Sequence, residues 1–438
     1  MQAPVNARLL VLATATLCAT FPALGKTDRA EKAIVSYVKS RQEPAVTLLE
    51  QAVNINSGTM NLAGVRAVAD IFRPRFAALG FKTQWIDGTP FGRAGHLVAE
   101  HQGKARSRHI LLIGHLDTVF EPDHPFQRSQ RVDANILRGP GTADMKGGIV
   151  VALTALEALQ KAGVLDDLTI TVVLHGDEED SGAPLAAARA TLVAAAEAAD
   201  IAIGLENAAD DPSTAVTARR SSGRWQIKAT GKSAHSSQIF TDEYGAGAIY
   251  ELSRILNGFY TELRGEELLT FNPGLIAGST QLEYVPEPLQ AKVSGKDNII
   301  APTAIASGDL RAITPEQITR TREKMQQIVA AHLPQTTAEI TFDEGYPPMA
   351  PTEGNKRLLS VYDQVSRDLG FGPVVSVNPR RAGAADVSFA ADHVEMAIDG
   401  LGLLGGGSHT ANEFADLRTF QVQAQRLAVL LHRLSKAN

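Results

Sequence analysis

Five short segments carry side chains that could do chemistry together. The first is Gly114-His115-Leu116-Asp117-Thr118, at the end of an apolar run. On a strand, positions i and i+2 share a face, so His115 and Asp117 can look into one crevice. An imidazole is an ordinary metal ligand, and a nearby carboxylate can hold its second ring nitrogen. The second segment, Gly139-Pro-Gly-Thr-Ala-Asp144-Met-Lys-Gly-Gly148, precedes a helical pattern. Asp144 could simply cap that helix, yet the glycines exceed what a cap needs and permit close backbone approach. The Gly-x4-Gly-Lys-Ser/Thr spacing of a phosphate-binding loop is absent. The third is Asp177-Glu178-Glu179-Asp180, the fourth Leu205-Glu206-Asn207, and the fifth Gly405-Gly-Gly-Ser408-His409. Taken singly, each reads as a surface acid run, a cap or a structural pair. Taken together, they set two histidines and several carboxylates at strand ends, where open α/β sheets bind ligands.

The elements around them support that placement. His109–Gly114 is continuously apolar, as a strand covered on both faces must be. Leu168–Leu174 and Ile201–Leu205 read the same way. Helical periodicity runs from near Asp28 to Ile55, from Leu62 to Leu79, from Gly147 to Ala162 and from Ala183 to Ala199. This alternation predicts an α/β domain with a mostly parallel sheet. After Thr217 the pattern changes. Strands are predicted at 225–230, 289–294, 304–312 and 337–342, with helices at 244–259 and 315–332. That is an inserted α+β domain. Helices then resume at 355–369 and 417–434. The predicted boundaries are 26–217 and 345–438 for the two parts of the α/β domain, and 218–344 for the insert.

Composition narrows the chemistry. The 438 residues carry 42 basic and 48 acidic side chains, a net charge of −6, so no basic field gathers nucleic acid. The one cysteine, Cys18, excludes cysteine-rich metal sites. A metal site here must use histidine and carboxylate. Cys18 also falls in a segment that reads as a secretory signal: Arg8, an apolar run from Leu9 to Leu24, and a small-x-small pattern ending at Gly25. The expectation is a signal peptide over 1–25, an exported (periplasmic or secreted) mature chain without cysteine, and no membrane association once the signal is removed. Gly400-Leu-Gly402-Leu-Leu-Gly405 has the spacing of a dinucleotide fingerprint but not its strand-turn-helix context.

As a set and in order, His115-Leu-Asp117, Gly141-x-x-Asp144-Met-Lys-Gly-Gly, Asp177-Glu178-Glu179, the strand end at Glu206, and His409 resemble the two-zinc peptidases and deacylases. That family includes glutamate carboxypeptidase, aminoacylase, carnosinase and succinyl-diaminopimelate desuccinylase; the first is the best likeness. The resemblance covers nearly all of the mature chain. It implies a mostly parallel-sheet zinc-peptidase catalytic domain with an inserted ferredoxin-like domain serving as lid and dimerisation surface. It implies two Zn²⁺ per chain, with Co²⁺ or Mn²⁺ as possible substitutes. His115 and Glu206 would be terminal ligands of one ion, Glu179 and His409 of the other, and Asp144 would bridge them. Asp117 would orient His115, and Glu178 would be the general base on a metal-bridging water. A cis peptide is implied between Asp144 and Met145.

The resemblance also implies substrate-binding roles for His235 and Asn298 in the insert, His235 often acting from a neighbouring subunit, and for Arg311 and Arg380. Two arginines suit a substrate with a free carboxylate, because the planar guanidinium binds carboxylate bidentately. The expectation is hydrolysis of an amide bond next to a C-terminal amino acid in a small peptide or N-acyl amino acid, by a homodimer joined through the insert. The alternatives are an aminoacylase-type deacylase, a dipeptidase, or a non-catalytic binding protein on the same fold.

Overall fold

A computed structural model describes residues 27–104, 107–207, 211–286 and 289–436. The segment read as a signal peptide, with Cys18, lies outside the described residues. A six-stranded sheet runs in the order 82–87, 95–101, 169–175, 109–115, 201–204, 396–398. The last four strands are mutually parallel, and the 82–101 hairpin joins antiparallel to the 169–175 strand.

Alternation along each strand splits the core into two layers. Ile110, Leu112, Ile170, Val172, Ile201 and Ile203 face one set of helices, chiefly Lys146–Lys161 and Arg418–Lys436. Leu111, Ile113, Val173 and Ala202 face the other side, toward Leu185–Glu197 and Val387–Ala391. Both faces being covered explains the continuous apolar runs.

Parallel pairing brings strand ends into line. His115 sits opposite His175, and Ile113 opposite Gly204. The segments that follow these strands, beginning at Leu116, Gly176 and Leu205, therefore leave the same edge of the sheet.

A second sheet, antiparallel, has the order 270–279, 303–311, 222–231, 336–346, the ferredoxin-like arrangement. Helices Gly247–Leu263 and Pro315–Ala330 cover one face, around buried Trp225, Ile227, Ala306 and Met325.

Three readings need correction. The edge strand Thr270–Ser279 escaped detection because Pro273 and Gly274 interrupt its alternation, at a register shift between Pro273 and Leu275. The strand expected at 289–294 belongs to a separate hairpin, Gln281–Val285 with Gln290–Ser294. The helical stretch expected from Asp28 to Ile55 is two helices, Arg29–Lys39 and Gln42–Val53; Ser40 ends the first by bonding back to the Tyr37 carbonyl at 2.7 Å. Among the described residues, no helix is long and apolar enough to cross a membrane.

Candidate metal centre

The five expected ligands converge at the edge where the parallel strands end. Asp144 lies at the centre. Its Oδ1 is 3.2 Å from His115 Nε2, which is also 3.3 Å from Glu206 Oε1. Its Oδ2 is 3.3 Å from His409 Nε2, which is 3.1 Å from Glu179 Oε2. Two donor groups result, His115–Asp144–Glu206 and Asp144–Glu179–His409, each with its ligand atoms within 4.8 Å of one another. The peptide bond between Asp144 and Met145 is cis.

Each ligand is held from behind. Asp117 is fully buried and lies beneath His115, with its Oδ1 3.3 Å and its carbonyl oxygen 3.1 Å from Nδ1. The same carboxylate accepts from Thr59 Oγ1 at 2.7 Å and from the Glu178 and Glu179 N–H groups at 3.1 Å each. Asp117 therefore links the His115 strand to the acidic loop. The Glu206 N–H donates to Asp399 Oδ1 at 3.3 Å. His409 has φ 62°, in the left-handed region, between Gly407 and the 414–416 strand. Non-glycine residues in that region concentrate at functional sites. Gly148 is required for another reason: a β-carbon there would stand 2.1 Å from the Leu205 carbonyl oxygen.

Glu178 shares a cavity of about 280 Å³ with Asp144, Glu206, Asn207 and His409. Its loop wraps a buried arginine that the sequence reading overlooked. Arg189 bonds the Asp177 carboxylate at 2.9 Å, the Asp177 carbonyl at 3.0 Å, and the Ser181 and Tyr346 hydroxyls at 2.8 Å each. Its Nε pairs with Asp386 at 2.8 Å. Tyr346, the last residue of the insert's final strand, donates to the Glu178 carbonyl at 2.9 Å. Asp177 thus builds the loop, and exposed Asp180 pairs with Arg93.

The charges show what the donors need. Burial and the Asp144 charge push Glu206 up to about 7. Burial pushes Glu179 up to about 7 despite its bond from His409. Glu178 lies well above its ordinary value, first through burial and then through Asp386, Glu206 and Glu179, against the pull of His115. The bonds to Asp144 and Glu179 raise His409 to about 11. Burial opposes charging His115, but Glu206, Asp117 and Asp144 carry it well above the usual imidazole value. Asp144 moves the other way: burial opposes its ionisation, and the His115 and His409 bonds overcome that. The common cause is a buried acidic surplus. Its donor set, one imidazole nitrogen and two carboxylate oxygens per group with Asp144 common to both, fits two divalent cations of the zinc type.

The insert residues lie elsewhere. His235 is exposed, its Nδ1 2.9 Å from Ser237 Oγ, and Asn298 is its neighbour through the Ser236 N–H to Asn298 carbonyl bond at 2.8 Å. Neither lines the cavity within one chain. Arg311 pairs with Asp309 at 3.0 Å. Arg380 is exposed and outside the cavity wall; its neighbour Arg381 lines it, beside Arg219, which is tied to Asp399 at 2.8 Å. The 378–383 loop has no strand periodicity, so nothing in its pattern shows which of two adjacent arginines turns inward.

A metal-holding edge on a mostly parallel sheet, with a ferredoxin-like insert, defines a metal-dependent hydrolase. Residues 111–433 match Peptidase family M20/M25/M40, and the chain belongs to that family. It is 26% identical over 414 residues to Carboxypeptidase G2 of Pseudomonas sp. (strain RS-16), spanning 93% of this chain and 92% of that one. A 143-residue stretch is 32% identical to the succinyl-diaminopimelate desuccinylase of Leptothrix cholodnii, covering 31% of this chain and 36% of that protein. Among solved structures, aminopeptidase PepT from Bacillus cereus superposes with a TM-score of 0.69 at 17% identity, over 90% of this chain and 98% of that one. The Bacillus subtilis YXEP protein, a dinuclear metal binding peptidase, gives 0.63 at 15%, over 91% and 100%. These confirm the fold and the family read from the motifs. The chain is an enzyme, a metallopeptidase or related hydrolase.

Proposed function

We propose that the protein hydrolyses an amide bond, peptide or N-acyl, next to a C-terminal amino acid, in the manner of a glutamate carboxypeptidase. The observation that carries this is the division of Asp144, one oxygen toward His115 and Glu206 and the other toward His409 and Glu179, with Glu178 in the same cavity. In this reading the residues hold two Zn²⁺. When bound, two such ions lower the pKa of water toward about 7 and polarise the scissile carbonyl.

This chain's residues do the rest. Asp117 fixes the His115 ring and, through two N–H bonds, the Glu178–Glu179 backbone. Glu178 takes the proton of the attacking water and returns it to the leaving amine. Burial and the neighbouring carboxylates raise its affinity for a proton, the direction a general base needs. Arg381, on the cavity wall, is the cation for a substrate carboxylate, while Arg219 beside it is spent on Asp399. His235, Asn298 and Arg311 serve the substrate when the insert closes or a second chain presents its own insert.

Among the described residues the outer edge of the Thr270–Ser279 strand pairs with no further strand, and exposed Ile276 on it, with exposed Ile249 and Tyr250 nearby, supports a homodimer joined through the insert. Likeness to Carboxypeptidase G2 along nearly the whole chain favours the carboxypeptidase reading over an aminoacylase-type deacylase. Export follows from the signal-like first 25 residues.

The test is a panel of C-terminal glutamyl peptides and N-acyl amino acids, each beside its carboxylate-amidated form, with metal content measured on the same sample. Free-carboxylate substrates should turn over and amidated ones should not. A preparation holding two ions that ignores the whole panel would falsify the carboxypeptidase assignment.

A further inference from the structure

Glu413 is 1% exposed, stands four residues beyond His409, and has no part in the chemistry described so far. Its carboxylate is spent on main chain. Oε2 accepts from the Gly141 N–H at 3.1 Å, and Oε1 accepts from the Ala143 N–H at 3.0 Å and the Asp144 N–H at 3.1 Å. The contact is mutual, since the Gly139 N–H donates to the Glu413 carbonyl at 3.1 Å. Farther out, the 136–138 and 414–416 strands pair, and Arg138 bonds the Ala411 carbonyl. One side chain thus clamps the loop that ends in Asp144 to the loop that carries His409. These ligands are 265 residues apart in the chain.

An acid in this position is costly. It lies near the Asp144 charge, and no salt bridge among the described residues reaches it; the Lys146 ammonium feels its charge but bonds the Ala52 and Ile55 carbonyls, 3.2 Å each. A buried carboxylate beside another is tolerated only when it is satisfied, and three N–H donors satisfy this one. A glutamine could not replace it, because its amide nitrogen would oppose an N–H. The arrangement makes sense as a device for aiming Asp144. Both Asp144 oxygens must face different donor groups, so a small rotation of its backbone would spoil both at once.

We propose that Glu413 is a positioning residue that holds the Gly141–Asp144 loop so that one carboxylate serves two cation sites. This rests on the two-ion reading above. The test titrates metal-free wild type, Glu413→Ala, Glu413→Gln and Glu413→Asp with Co²⁺ against a chromophoric chelator and records the Co²⁺ visible spectrum. Circular dichroism confirms folding, and Thr154→Ala, a buried change on the adjoining helix, is the control.

Wild type and the control should bind two ions. Glu413→Ala and Glu413→Gln should bind both about 10- to 100-fold more weakly, the usual effect of losing a group that orients a ligand. Both should show an altered spectrum, and Glu413→Asp should recover part of the affinity. Should Glu413→Ala not fold, the Gln and Asp variants decide. Folded variants that bind two ions as wild type does would overturn the proposal alone. A wild type holding fewer than two ions overturns the two-ion reading, and this proposal with it.

Discussion

The sheet edge and the insert hold their candidate residues in opposite ways. At the edge, the side chains are mostly buried or half-buried, His115, Glu179 and Glu206 on short connections from parallel strands and Asp144 and His409 on loops of antiparallel strands, and they are cross-linked by Asp117, Asp399, Glu413 and Arg189. His409, 60% exposed, is the one ligand facing outward, and its backbone is held in a left-handed turn. In the insert, His235 and Asn298 lie on exposed loops, bonded to little beyond their immediate neighbours. A site that must bind metal before substrate arrives gains from rigidity, because ligand geometry is then prepaid. A group needed only in the transition state can sit on a moving part. Tyr346 joins the two regions, reaching from the end of the insert to the Glu178 carbonyl.

That contrast can be broken at either end. Glu178→Gln should keep both ions and lower kcat by about 10²- to 10⁴-fold, the range for a general base. Retained turnover would remove the base from the edge. His235→Ala should lose about 10²-fold in kcat, with metal content unchanged, if its substrate contact is to the oxygen on which negative charge develops. Mixing His235→Ala with Glu178→Gln should recover measurable turnover through hybrid dimers carrying one intact site. Additive inactivity in the mixture would place His235's action within its own chain. Tyr346→Phe should cost several-fold in kcat with KM and metal affinity little changed, since one hydrogen bond to the Glu178 backbone contributes about 1 kcal/mol; a shift in KM alone would sever the link between the insert's last strand and Glu178.

The smallest effect concerns pH. Glu179, Glu206 and Glu413 each titrate near 7 in the metal-free fold, against an ordinary value of 4.5. Between those values the folded chain holds more protons than the unfolded one, so stability falls as pH rises. Metal-free protein should melt a few degrees higher at pH 5 than at pH 7. Metal-loaded protein should show the reverse, because ligands bind as deprotonated groups and His409, raised to about 11, must release a proton. Thermal melts at both pH values, with and without chelator, check the sign.

The parallel strands and the order of the ligands along the chain are written in the residue pattern. His109–His115, Thr169–His175 and Ile201–Gly204 are legible because parallel strands covered on both faces must be apolar throughout, and ligands follow their ends. The motif set likewise carried the family. The edge strand at Thr270 was illegible because its signal is alternation, and Pro273 with Gly274 erases it. Folding settles which Asp144 oxygen meets which imidazole, and that Arg381 rather than Arg380 lines the cavity. It also brought out Arg189, Tyr346 and Glu413, whose partners are backbone groups or residues remote in the chain. A hydrogen bond to a main-chain N–H leaves no residue type behind to be read. A contact closed across some 270 residues has no period, so it exists only once the sheet has brought both ends together.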